Sequence, residues 1–201
     1  MSHTPGALSR VPTVEECLEL LRSQRVDEKV YLHSIMVCRV GITICDGLER
    51  NGVSINKPLA VAGCLLHDIC KLEVGPGSKL VPRRDHAAIG GRLVEALGYP
   101  VVAPLVANHV LDQSEVLGSL EEEIVFYSDK RVDFDEVVSL QERLKRLQVR
   151  YANNPEAMRN IISSQAVVPL VEKQLLSKAG LTPDSLQSLN SYRGRGAEGL
   201  P

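Results

Sequence analysis

Six side chains in this sequence share one chemistry. His33, His67, Asp68, His86, His109 and Asp129 supply four imidazoles and two carboxylates, separated by 34, 1, 18, 23 and 20 residues. Imidazole nitrogen together with carboxylate oxygen suits a borderline divalent ion such as Fe, Mn, Co, Ni or Zn. Six protein ligands on one ion would leave no position open for water or substrate, so the set suits two ions better than one. Taken singly, each histidine is an ordinary hydrogen-bonded helix-end residue. Spacings this wide converge only through a fold, so the elements that carry them decide the matter.

Apolar residues recur at three- and four-residue intervals almost throughout, and no alternating stretch is long enough for a sheet. This predicts an all-α fold. Thr13 and Glu16 have the form of a capping box ahead of a helix reaching about Gln24. Asp27 caps a second helix that turns Val30, Ile35, Met36, Val40, Ile44 and Leu48 inward until Asn51-Gly52 stops it. A third begins near Asn56 with Pro58 in its first turn and runs into His67-Asp68. After a loop from Gly75 to Arg84, Asp85 opens a fourth helix ending at Gly98, and a shorter one spans about Val101 to His109. Further helices fit Leu120 to Arg131, Asp135 to Tyr151, and Pro155 to Lys178, with Asn154 as cap and Gly180 as stop. The expected organisation is one helical domain over 13–180, a flexible N-terminus over 1–12, and a short helix with a flexible tail over 181–201. Every one of the six ligand candidates then falls at or near a helix end.

Composition narrows the partners. A chain of 201 residues with 44% apolar and 24% charged side chains is one domain's length with enough apolar surface for a core. The 25 acidic and 23 basic side chains give no broad basic field for a duplex. Five Tyr, two Phe and no Trp leave little for a stacking platform on single strands. No nucleic-acid partner is expected. The five cysteines form no C-x-x-C pair and read as reduced thiols packed as small apolar residues. Met1 to Pro12 lacks the apolar centre of a signal peptide, and the longest apolar run, Leu59 to Leu66, is far short of the ~20 residues of a membrane helix. The expectation is a cytoplasmic protein without a membrane partner, with a homodimer left open.

The ordered set His33, His67-Asp68 after an apolar run, His86, His109 and Asp129 resembles the HD-domain superfamily of metal-dependent phosphohydrolases in its HDIG-type form. The segment from Ala62 to Lys71, Ala-Gly-Cys-Leu-Leu-His-Asp-Ile-Cys-Lys, is similar to that form's signature, with Cys70 where Gly or Ala is common. His86-Ala87-Ala88-Ile89-Gly90-Gly91 resembles its following His-x-x-x-Gly segment. The similarity covers about 27 to 151. It implies a single helical HD bundle with a dinuclear metal site in its core: His33, His67, Asp68 and Asp129 on one ion, Asp68 bridging to a second ion on His86 and His109.

The same resemblance implies hydrolysis of a phosphoester or phosphoanhydride of a small molecule, a nucleotide foremost, by a hydroxide bridging the two ions. Asp68 and Lys71 are then the catalytic residues, Lys71 directing its ammonium at the phosphate. Lys71, Arg83, Arg84, Lys130 and Arg131 are the candidate substrate contacts, because their cations can hold a second phosphate. For Arg83 and Arg84 the alternative is a solvated loop, for Lys130 an ordinary surface pair, and Asp133 can simply brace Arg131. Two other functions use the same frame. A diiron oxygenase of the superfamily would take the same six ligands, and a non-catalytic nucleotide-sensing module would have no need of them all.

Overall fold

A 23-residue helix, α2 (Glu28–Arg50), forms the axis of the protein. The computed structural model describes residues 10–71, 86–110 and 117–201. Asp27 starts α2 by accepting the Lys29 backbone N–H at 2.9 Å, and Val30, Val37, Val40, Ile44 and Leu48 line its buried face. By length and apolarity α2 is sufficient to cross a bilayer, but 72% of its apolar window is buried inside the bundle. Its apolar face is therefore satisfied by protein, as in a core helix.

The neighbours of α2 are α1 (Val14–Ser23), α3 (Lys57–Leu66), α4 (His86–Ala96), α5 (Ala103–Ala107), α6 (Leu120–Lys130), α7 (Leu140–Arg150), α8 (Pro155–Ala179) and a 3-10 helix over Asp184–Tyr192. Their starts follow the capping chemistry of the sequence. Thr13 and Glu16 form a reciprocal capping box on α1, Asn56 caps α3 with Pro58 in its first turn, and Ser119 caps α6 ahead of three glutamates that complement the helix dipole. Asn154 starts α8, and Gly180 ends it in the left-handed conformation at φ 64°.

Two glycines set how closely the site-bearing helices approach. A β-carbon on Gly63 of α3 would lie 2.7 Å from Leu105 Cδ2 of α5 and 2.8 Å from Val125 Cγ2 of α6. One on Gly41 of α2 would meet Cys64 Sγ of α3 at 2.6 Å. The absence of side chains there lets α3 settle against α2, α5 and α6 at once, which brings the end of α3 to the middle of the bundle. Cys17, Cys38, Cys45 and Cys64 are free and buried in this core.

Three features differ from the sequence-based expectation. The helix expected from Asp135 begins only at Leu140, where Ser139 accepts the Glu142 backbone N–H at 3.1 Å. In its place Val132–Asp133 (β1) and Glu136–Val137 (β2) pair antiparallel, Val132 with Val137 and Asp133 with Glu136. β-branched Val132, Val137 and Val138 favour extended backbone, and the capping oxygen lies after them, not before. The tail expected to be flexible is docked: the Arg39 guanidinium donates to the carbonyls of Gly196 (3.0 Å) and Glu198 and lies 4.2 Å from the Tyr192 ring centroid. Ala197 and Leu200 pack on the core behind it. A buried arginine with two carbonyl acceptors gives the glycine-rich segment an anchor that composition does not reveal.

Candidate metal centre

The ends of five helices meet at one point. His33 comes from the second turn of α2, His67 caps the C-terminus of α3 with Asp68 following it, His86 opens α4, His109 follows α5, and Asp129 lies in the last turn of α6. Asp68 is 1% exposed, His67 0% and His109 2%. The imidazoles stand edge-on in a row, His33 to His67 at 5.3 Å, His67 to His109 at 5.0 Å and His109 to His86 at 5.1 Å between centroids.

Asp68 divides its two oxygens between two sets of histidines. Oδ2 lies 3.3 Å from His67 Nε2 and 3.8 Å from His33 Nε2. Oδ1 lies 3.3 Å from His86 Nε2 and 3.4 Å from His109 Nε2. Asp129 Oδ1 joins the first set, 3.1 Å from His33 Nε2 and 3.8 Å from His67 Nε2. Ligand atoms of His33, His67 and Asp129, and separately of His67, Asp68 and His109, fall within 4.8 Å of one another, the spread that one ion can draw together.

The backbone orients the rings. Nδ1 of His67 lies 2.8 Å from the Cys64 carbonyl, Nδ1 of His109 2.6 Å from the Val106 carbonyl, and Nδ1 of His33 2.8 Å from the Phe134 carbonyl. A carbonyl only accepts, so in each ring Nδ1 carries the proton and Nε2 turns a lone pair inward. This is the arrangement in which the far nitrogen of a metal-binding histidine is fixed by a hydrogen bond. It also sets acceptors against acceptors, since His33 Nε2 faces Asp129 Oδ1 and His109 Nε2 faces Asp68 Oδ1 at 3.4 Å. His67 Nε2 and Asp68 Oδ1 are buried without any hydrogen-bond partner. Orphaned buried lone pairs are costly, and a cation is the group that satisfies them together. The donor set therefore fits divalent metal.

The charges agree. Burial holds His33 and His109 below the ordinary imidazole value, His109 at about 4, so both rings are neutral at pH 7. Burial opposes a proton on His67 too, but the adjacent Asp68 outweighs it and raises that ring. Asp68 and Asp129 stay well below the usual carboxylate range despite burial, held by Lys71 with His67 and by Lys130 with His33 respectively.

The HD domain family matches the chain over residues 30–133, more than half of its 201 residues. The chain belongs to the HD-domain family. The HD frame thus runs from α2 to β1; HD domains bind divalent metals, and the groups that could hold an ion lie within the matched residues. Membership supports a metal-dependent phosphohydrolase. The chain is also 23% identical over 191 residues to a tRNA (cytidine(56)-2'-O)-methyltransferase of Picrophilus torridus, an alignment covering 88% of this chain and 50% of that protein. It spans about half the length of that curated relative. No solved structure matches.

Of the basic residues expected at substrate, Lys71 is at the cluster, its Nζ 2.6 Å from Asp68 Oδ2 and its side chain 37% exposed. Lys130 donates to Asp129 Oδ2 at 2.6 Å and to the His109 carbonyl at 3.2 Å, so it braces two of the six. Arg83 and Arg84 lie outside the described residues.

Arg131 is a correction. It is fully buried and donates to the carbonyls of Val138 (2.8 Å) and Pro183 (3.0 Å), the Tyr127 hydroxyl (2.7 Å) and Glu172 Oε2 (3.0 Å). With its donors spent on α6, α8 and the chain after β2, it cannot reach a phosphate. Asp133 does not brace Arg131 either, but gathers Arg143, Arg146 and Arg150 of α7.

One residue beside the site carried no signal in the sequence, and another was assigned the wrong partner. Phe134 supplies its carbonyl to His33 from a turn 101 residues away. Asp133 ties that turn to α7. Only the aspartate's position in a run of acids and valines set it apart, and nothing there points to three arginines.

Proposed function

We propose that this HD-domain protein is a phosphohydrolase acting on a phosphoester or phosphoanhydride of a small molecule, with a nucleotide as the first class to test. His33, His67, Asp68 and Asp129 would hold one divalent ion, and Asp68, His86 and His109 a second. The observation that carries this reading is the division of Asp68, one oxygen toward each histidine set. Bound there, divalent ions supply Lewis acidity toward phosphoryl oxygen and lower the pKa of water.

The chain's own residues do the rest. Hydrolysis joins a water oxygen to phosphorus, breaks the bond to the leaving oxygen and moves the proton to it. His86, with a 20% exposed side chain, and Lys71, at 37%, are the most open members of the cluster, so substrate enters between them. Partial desolvation works against the Lys71 ammonium, but Asp68 and Asp129 keep it charged, and it neutralises charge building on the phosphoryl oxygens. Lys130 holds Asp129 and the His109 backbone in place. Few aromatic rings favour recognition through phosphate over recognition of a base.

Phosphate release from a panel of nucleotides, after loading with Mn or Fe, tests this. Release that disappears in Asp68→Ala supports the hydrolase. Oxygen consumption under air without phosphate release would favour the oxygenase instead. The likeness to a protein named as a tRNA methyltransferase is the observation that favours an RNA-linked phosphate as the alternative substrate, and short RNAs with terminal phosphates belong in the same panel.

A further inference from the structure

Phe134 has φ 55°, in the left-handed region, where a β-carbon is disfavoured. With Asp135 it makes the two-residue connection between β1 and β2, given the pairing of Asp133 with Glu136. Glycine is the usual occupant of such a position. The ring does not explain the choice by burial, since the residue is 44% exposed.

Two other contacts do. The Phe134 carbonyl accepts from His33 Nδ1 at 2.8 Å. Its ring makes cation–π contacts with two cations, Arg150 with its guanidinium carbon 4.5 Å from the centroid and Lys29 with Nζ at 6.0 Å. Lys29 lies one helical turn before His33 on α2, and Arg150 is held by Asp133 at 2.8 Å. The ring thus fastens the tip of the hairpin beside His33.

The fastening matters because two acceptors compete for one imidazole proton. On Nδ1 the proton is donated to Phe134 O. On Nε2 it would be donated to Asp129 Oδ1, 3.1 Å away, and would block the nitrogen that faces the cluster. We infer that Phe134 is a positioning residue for metal binding: its left-handed backbone, locked by Lys29 and Arg150, turns a carbonyl onto His33 and keeps the proton off Nε2. The inference rests on the reading of His33 as a metal ligand.

Three substitutions separate backbone from side chain. All three lose the ring and differ in the backbone they allow: glycine permits φ 55° freely, alanine only under strain, and proline forbids it. Phe134→Gly should bind Mn within about 3-fold of wild type, Phe134→Ala more weakly, and Phe134→Pro about 10–100-fold more weakly, the usual cost of losing such a support. Long-range proton–nitrogen NMR on the metal-free protein should show His33 protonated at Nδ1 in wild type and Phe134→Gly, and at Nε2 in Phe134→Pro. A role in packing alone gives the opposite order, with glycine worse than alanine, and that order would overturn the inference. So would a wild-type His33 protonated at Nε2, which needs no variant to fold. If His33→Ala binds Mn as tightly as wild type, the ligand reading falls and takes the positioning role with it, whatever the tautomer.

Discussion

Arg131→Met should destabilise the protein severely while leaving substrate affinity alone. The guanidinium is 0% exposed, and its loss leaves the Val138 and Pro183 carbonyls without these donors and the Glu172 carboxylate, 20% exposed, without its cation. Removing one member of a buried ion pair costs about 3–5 kcal/mol. Against a domain stability of about 5–15 kcal/mol, that is a large fraction, and it corresponds to a fall in Tm of roughly 6–20 °C at about 2–4 °C per kcal/mol for a chain this size. Tyr127 adds to the network. Burial pushes its phenol up, so it remains a donor to Glu172 Oε2 at 2.6 Å. Urea unfolding at 25 °C, with metal absent, measures the cost. In the double variant Arg131→Met with Glu172→Leu, part of the loss should return, because the uncompensated carboxylate is gone as well. The KM for a phosphorylated substrate, measured on the folded fraction, should be unchanged. A Tm within 2 °C of wild type combined with a raised KM would refute the structural assignment and restore Arg131 to the substrate.

Gly63→Ala places a methyl group within 2.8 Å of Leu105 and Val125; overpacking of this kind costs about 1–3 kcal/mol, and by moving α3 it should also weaken metal binding, which denaturation and metal titration read separately. Asp133 gives a pH signature: burial would raise its carboxyl, but hydrogen bonding from Arg150 and the charge of Arg143 hold it below the usual value of 3.8. Its contribution to stability is therefore present above about pH 4 and lost as pH falls through the lowered folded pKa, so Asp133→Asn should be less stable than wild type at pH 7, with the gap closing in urea titrations as pH falls below the ordinary carboxylate range. Lys71→Met should keep both metals while slowing phosphate release about 10²-fold, the usual loss on removing one transition-state donor; loss of metal in elemental analysis would instead make Lys71 a support of Asp68.

The six ligand candidates could be read from the sequence because coordination chemistry restricts which side chains serve, and because caps such as Asp27 and Asn56 placed them at helix ends. The same local signals located α1, α2, α3 and α8 closely. What stayed hidden depends on partners far along the chain. Arg131 finds Glu172 41 residues on and Pro183 52 residues on, so beside Lys130 it passed for a second phosphate ligand. The pairing of β1 with β2 involves too few residues to show as alternation. Phe134 acts through its carbonyl, which every residue has, and its side chain advertises nothing.

Metal stoichiometry by elemental analysis after loading and desalting tests the shared role of Asp68 most directly. The expected result is two divalent ions per chain in wild type, one in His86→Ala, and none in Asp68→Ala, with all three proteins equally helical. A wild type that holds no ion after supplementation with Mn or Fe, or an Asp68→Ala variant that keeps both, would contradict it.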